Sequence, residues 1–319
     1  MKHNYDVFNG DADGICALHQ LRMAYPKPGA KLITGVKRDI KLLDRLTGVE
    51  NSEITVFDIS LDSNRGSLEE LLATGNSITY FDHHYAGDLP SSPDLTTNIH
   101  QDPEICTSLI VDRLLGGRFR SWAIVGAYGD NLHQSALKLA KELNLGEADL
   151  EKLREIGELF NYNGYGKSTE DLYFHPADLY NGLSGFTDPL EFRHQSPDLA
   201  KLRQGFNDDM TKARRLSPFR ESGAGVVYRL PGESWCRRVA GVFGNEKARD
   251  NETQAHALLV DNGDNTMMAS IRAPLANRQG ADVLCRAFPT GGGRPAAAGI
   301  NKLPAEMMDE FLKKFKEVF

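Results

Sequence analysis

The chain has 319 residues, 40% hydrophobic and 25% charged, an ordinary globular mix that excludes a chain dominated by disorder, collagen repeats or coiled coil. Its 37 Lys and Arg against 44 Asp and Glu leave a net charge of −7, which argues against a wholly electrostatic grip on long duplex DNA but allows a local basic patch. At roughly 150 residues per domain the length predicts two domains, each able to bury a core without disulfides.

In chain order, Tyr5 to Asn9 reads as a short strand, and Asp13 to Tyr25 as a helix with Ile15, Leu18 and Leu21 at helical spacing, stopped by Pro26 and Pro28. Lys31 to Val36 and Glu53 to Ile59 are β-rich runs with a polar helical segment between them. A helix around Leu68 to Ala73 precedes a strand over Ser77 to Asp82. Strand and helix alternating at this pitch predict an α/β domain, a mostly parallel sheet covered on both faces, with ligands beyond the carboxyl ends of its strands.

From Ile105 to about Leu216 the chain reads as mainly helical. The polar stretch Ser196 to Leu216, with Lys212, Arg214 and Arg215 late, reads as a linking helix that Pro218 stops. The expected organisation is a catalytic domain over 1–195, a linker over 196–221 and a smaller α/β domain over 222–319. The last carries 13 Lys and Arg against 11 Asp and Glu, a charge of +2, which leaves −9 for the rest. That asymmetry suits an acidic metal-holding domain beside a mildly basic substrate-holding one. Asn262 to Asn265 between two apolar runs reads as a hairpin turn.

Cys16, Cys106, Cys236 and Cys285 lie far apart with no C-x-x-C pair, so no zinc knuckle or thioredoxin-type site is readable, and the sparse usage suits a reducing cytoplasm. No signal-peptide core and no apolar run of about 18 residues appears, so neither a leader nor a membrane partner is expected.

Four places put acidic residues just past strand-like or helix-capping runs. They are Asp11-Ala12-Asp13-Gly14, Asp58, Asp82-His83-His84 and Gly129-Asp130, the last following Ala123 to Ala127. Each alone has a structural reading as a cap or a turn. Gathered at one sheet edge, they would repel one another unless cations lay between them. Oxygen ligands with imidazole suit Mn²⁺, with Mg²⁺ as an alternative, and two ions sharing a carboxylate suit attack on a phosphoester.

This ordered set resembles the four motifs of the DHH phosphoesterase superfamily, and Gly291-Gly292-Gly293-Arg294-Pro295 with the small residues after it resembles the Gly-rich signature of the accompanying DHHA1 domain. The length is similar to that of the small two-domain nanoRNase type, and Val125 to Asp130 resembles the archaeal RecJ-like branch. The resemblance implies that Asp13, Asp58, His83 and Asp130 hold one Mn²⁺. Asp11 helps hold a second, and Asp58 bridges both. It implies Asp82 as an orienting group and His84 as a donor or general acid facing the scissile phosphate. Arg272, Gly291, Gly292, Gly293 and Arg294 would hold substrate.

Two departures stand out. Val7 replaces a His four residues before the first motif Asp, so the ion on Asp11 is expected to bind more weakly. Arg294 replaces the His that usually follows the three glycines, which supplies a fixed charge in place of a titrating one. The same glycines match a dinucleotide fingerprint only as a string, since no βαβ unit follows, and no P-loop is present. Tyr85 is the best-placed aromatic for stacking on a base, ahead of Phe160, Tyr162 and Tyr165.

The expected activity is Mn²⁺-dependent hydrolysis of very short single-stranded oligoribonucleotides or linear dinucleotides such as pGpG or pApA. A homodimer is compatible with this. The rivals are a RecJ-like exonuclease on single-stranded DNA, a pAp phosphatase and a non-catalytic nucleotide-binding scaffold.

Overall fold

The computed structural model describes residues 3–319. They form two compact units, Met1–Gln204 and Gly205–Phe319.

In the first unit the chain runs β1 (Asn4–Phe8), α1 (Ala12–Ala24), β2 (Lys31–Ile33), β3 (Glu53–Phe57), α2 (Arg65–Ala73), β4 (Ser77–Asp82) and β5 (Leu95–Ile99). Helices follow: α3 (Thr107–Leu114), α4 (Arg120–Gly129), α5 (His133–Glu142), α6 (Glu147–Gly164), α7 (Pro176–Leu183) and α8 (Pro189–Gln195), and α9 (Pro197–Arg214) runs from this unit into the second. The five strands are all parallel, in the order β2-β1-β3-β4-β5. Register sets Phe8 beside Phe57 and Phe57 beside Phe81, so three carboxyl ends lie in one line. The sheet grows in opposite directions on the two sides of β1, which makes the β1/β3 boundary a switch point where an open parallel sheet leaves a crevice.

Hydrophobic patterning explains the layers. Val7, Ile54, Val56 and Tyr80 face one core with Leu42, Leu43 and Leu68. On the other side α1 is buried along Ala12 to Arg22 and packs on α3, α4 and α6. Ile15 and Leu18 have no exposed surface, and each stabilises the packing by about 1.5–3 kcal/mol. Arg22 on α1 is also buried. Its Nε donates to Asp6 Oδ2 at 2.8 Å and its second amino group donates to Thr55 Oγ1 at 2.8 Å, so the charge is paired across β1 and β3.

The second unit carries β6 (Arg220–Ser222), β7 (Gly225–Leu230), α10 (Ser234–Asp250), β8 (Ala255–Asp261), β9 (Thr266–Arg272), α11 (Ala281–Arg286), β10 (Gly291–Arg294), β11 (Ala297–Pro304) and α12 (Met308–Val318). Its sheet is mixed, in the order β10-β11-β9-β8-β7-β6, with only β7 and β8 parallel across the α10 crossover. Phe311 and Phe315 of α12 close its core against Leu284, Phe288 and Ile300.

Several expectations shift. The polar segment after β2 forms only a short 3-10 turn, Leu42–Leu46, because Leu42, Leu43 and Leu46 dock on the sheet with too few residues for a longer helix. The β run from Lys31 stops at Ile33, and the residues up to Lys37 continue as an irregular segment. Strand β5, polar except for Leu95 and Ile99, gave no clear sequence signal. Ala123 to Ala127 lies inside helix α4, so Asp130 ends a helix, not a strand. The Gly-rich stretch takes a regular form: Gly291–Arg294 pairs as edge strand β10, and Asn262 to Asn265 makes the expected turn between β8 and β9. All four cysteines are free and buried. Among the described residues no helix is long and apolar enough to cross a membrane.

Candidate metal centre

The loop after β1 turns directly into α1, and Asp11 is the cap. Its Oδ1 accepts the N–H groups of Asp13 and Gly14, both at 3.1 Å, which satisfies two of the free donors of the first turn. Asn161 of α6 fastens this turn to the end of α4. Its Oδ1 accepts the Ala12 N–H at 3.0 Å, and its amide donates to Gly129 O. A Cβ on Gly129 would run into Ala12, and one on Gly126 would run into Ser108 Oγ, so only glycine allows this approach of α4.

Asp13, on α1, is fully buried and held by the start of α3. The Thr107 N–H donates to its Oδ2 and the Ser108 N–H to its Oδ1, each at 2.7 Å, with the Ser108 hydroxyl also on Oδ1. A helix N-terminus stabilises a carboxylate in this way through both its free N–H groups and its dipole. Asp58 follows β3 in the left-handed region, φ 60°, which Asp tolerates better than a branched residue. Its N–H still pairs with Phe81 O at 3.0 Å, and its Oδ1 accepts from Thr107 Oγ1 at 3.1 Å.

His83 follows β4. Its Nδ1 lies 2.9 Å from Ile105 O, and a carbonyl can only accept, so Nδ1 carries the proton. Nε2 is the ring nitrogen free to act as a ligand, 3.4 Å from both Asp58 Oδ1 and Asp130 Oδ2. A backbone partner on one ring nitrogen that frees the other is the usual arrangement behind a metal-ligating imidazole. Ligand atoms of Asp13, His83 and Asp130 come within 4.8 Å of one another, as do those of Asp58, His83 and His84.

His84 donates from Nδ1 to Asp82 Oδ1 at 2.7 Å, and the ring is part-exposed. Asp82 is fully buried, and its Oδ2 has no hydrogen-bond partner. Burial works against the charged ring of His84, yet the Asp82 carboxylate outweighs it and lifts the imidazole above its ordinary range.

The remaining cation is one that sequence reasoning did not single out. Lys37 lies on the segment after β2, and its Nζ pairs with Asp11 Oδ2 and lies 3.3 Å from Asp130 Oδ1. Burial alone would raise Asp11, but the Lys37 charge and hydrogen bond hold it below the usual carboxylate range. Burial opposes the ammonium of Lys37, and Asp11 and Asp130 keep it charged. Asp58 is pushed well up, first by burial and then by the charges of Asp13, Asp11, Asp130 and Asp82. Asp130 is raised by burial and by Asp13 and Asp11, against the pull of Lys37. Carboxyls pushed up by one another are the electrostatic signature of a place that wants a further cation. The donor set of carboxylate oxygens and one imidazole nitrogen fits a hard or borderline divalent ion such as Mn²⁺ or Mg²⁺.

The structure thus brings Asp11, Asp13, Asp58, Asp82, His83, His84 and Asp130 together in the first unit. Arg272 and Gly291 to Arg294 belong to the second unit. There, Arg294 pairs with Ala297, Ala297 with Arg272, and Arg272 with His256, so one row crosses four strands. Arg294 is exposed, while the guanidinium of Arg272 turns to α10, donating to Asn245 Oδ1 and, at 3.3 Å, to Gly241 O. His256 is buried with no partner on Nδ1. Of the aromatics, Tyr85 is 70% exposed, whereas Phe160 and Tyr162 are core residues and unavailable for stacking. Lys37, Asn161, Thr107, Ser108 and His256 are the residues that sequence reasoning missed.

No family model and no curated protein matches the chain. Solved structures do. A DHH-domain protein described as a member of a family of ribosomal proteins aligns with TM-score 0.66 at 16% identity over 99% of this chain and 86% of its own. RecJ from Thermus thermophilus, in complex with Mn²⁺, aligns with TM-score 0.66 at 16% identity over 99% of this chain and 52% of its own. The fold is that of the DHH-domain proteins. PggH from Vibrio cholerae, a pGpG-specific phosphodiesterase, shares it with TM-score 0.55 at 12% identity over 99% of both chains.

Proposed function

We propose that the protein is a divalent-cation-dependent phosphodiesterase, with Mn²⁺ as the preferred ion, acting on very short single-stranded oligoribonucleotides or linear dinucleotides. The observation that carries this reading is His83. Its tautomer is fixed by Ile105 O so that Nε2 faces Asp58 and Asp130, with Asp13 in the same group. A bound ion supplies Lewis acidity at a phosphoryl oxygen and neutralises charge that develops in the transition state. Likeness to RecJ with Mn²⁺ and to a pGpG-specific phosphodiesterase supports the reaction class, and the match along nearly the whole of PggH supports a short substrate.

The chain's own groups have separable tasks. Asp13, Asp58, His83 and Asp130 bind and orient the ion. Asp82 holds the proton of His84 on Nδ1 and turns Nε2 outward. With its ring protonated, His84 offers Nε2–H to a phosphate oxygen or to the departing nucleoside oxygen. Exposed Arg294 offers a fixed charge to a second phosphate or a base, and Tyr85 offers an aromatic face.

The test is a substrate panel with Mn²⁺: end-labelled RNA and DNA as dinucleotide, pentanucleotide and long oligomer, together with pAp and pyrophosphate. Selective turnover of the shortest RNA is expected. Equal processing of long single-stranded DNA would instead favour a RecJ-like exonuclease, and no turnover of any of them would favour a nucleotide-binding scaffold.

A further inference from the structure

We propose that the Lys37 ammonium is a built-in cation that takes the place of a second metal ion, so that the pocket binds one divalent ion, on the His83 side. This rests on the metal-centre reading given above.

Four observations converge on it. First, the second oxygen of Asp11 already carries a cation: Oδ1 caps α1 through Asp13 N–H and Gly14 N–H, and Oδ2 is paired with Lys37. An ion on that oxygen would have to displace an ammonium already in contact with it, or sit beside a like charge. Second, Asp130 divides its two oxygens, Oδ1 3.3 Å from Lys37 and Oδ2 3.4 Å from His83 Nε2. It therefore holds the lysine on one oxygen and faces the imidazole with the other, so the ammonium stands where charge on the far side of Asp130 is needed. Third, the position four residues before Asp11 offers no ligand on the Lys37 side, since Val7 has no exposed surface and packs in the core beneath the sheet.

Fourth, Lys37 is placed, not stray. Its backbone N–H donates to Gly164 O at 2.8 Å, and a Cβ on Gly164 would lie 3.2 Å from Gly10 O and 3.5 Å from Asp11 Cα. The segment that anchors Lys37 is thus the one packed against the Asp11 turn. The ammonium also lies 5.9 Å from the centre of the Tyr165 ring. A lysine so fixed supplies positive charge on Asp11 and Asp130 whether or not metal is present, where a second ion would have to be acquired from solution.

Counting bound Mn²⁺ decides the matter, by calorimetry together with the electron paramagnetic resonance of free ion. Wild type should bind one ion, Lys37→Met should bind two, and Lys37→Arg, which keeps the charge, should stay at one. If Lys37→Met fails to fold by circular dichroism, Lys37→Gln carries the same expectation of two. Two tight ions in the wild type, or one ion in the folded uncharged variant, would overturn the proposal while leaving the metal centre intact. No ion in the wild type would overturn the metal-centre reading itself, and this proposal with it.

Discussion

In the first unit the carboxylates Asp11, Asp13, Asp58 and Asp82 of the metal centre are buried, and its groups are fixed largely by backbone: Asp13 by the start of α3, His83 by Ile105 O, Asp11 by its own helix. In the second unit Arg294 stands exposed on edge strand β10, and its row partner Arg272 is tied to α10. The first arrangement suits chemistry, where position must be kept in advance of the substrate. The second suits binding, where an exposed cation can meet a flexible phosphate. The cost of the first is charge and polarity sealed inside the fold, and it should be visible as acid sensitivity of that unit.

His19 measures that cost. It lies on α1, its Nε2 donates to Phe186 O at 2.8 Å, and its ring meets Trp122 edge-on. Burial lowers it from 6.5 to about 4, against the pull of that carbonyl. The unfolded chain therefore binds the extra proton between those two values. The stability that a neutral His19 contributes is complete above pH 6.5 and is lost as pH falls toward about 4. Wild type should lose about 3 kcal/mol more than His19→Gln between neutral pH and the lower value, read by urea unfolding at each pH. Parallel profiles for the two proteins would break the contrast.

His84→Ala should lower kcat by about 10²-fold, within the range of a lost proton donor, while the Mn²⁺ affinity stays within about twofold of wild type. Steady-state kinetics and metal titration on the same sample read both. Loss of metal together with activity would move His84 from donor to ligand. The smallest effect is expected at Arg294. Arg294→Ala should raise KM about tenfold with kcat within about a factor of two, as for removal of binding felt equally in ground and transition states. A fall in kcat without a change in KM would erase the division of labour between the units.

What was legible in the sequence follows the same contrast. Asp11, Asp58 and Asp82 could be read because each ends an apolar β run, and parallel strands bring such ends to one edge. Asp130 was legible as a partner, although Ala123 to Ala127 is apolar and buried on every side, which hides the period that separates a helix from a strand at that point. Lys37 left no local signal. It stands in the charged run Lys37-Arg38-Asp39, at the start of the segment read as polar helix, and the hydrogen bond of its N–H to Gly164 O helps bring it to Asp11. Thr107 and Ser108 were equally silent, because they act through backbone amides of a helix start and not through a motif. That the Gly-rich stretch forms a strand was not legible, since three glycines carry no β propensity and pair only because β11 lies beside them.

Anomalous diffraction from crystals grown with Mn²⁺ tests the central claim most directly. A manganese peak within bonding distance of His83 Nε2 and of oxygens from Asp58 and Asp130, absent in Asp58→Asn, is the predicted result. A peak elsewhere, or none at that imidazole, would contradict the account.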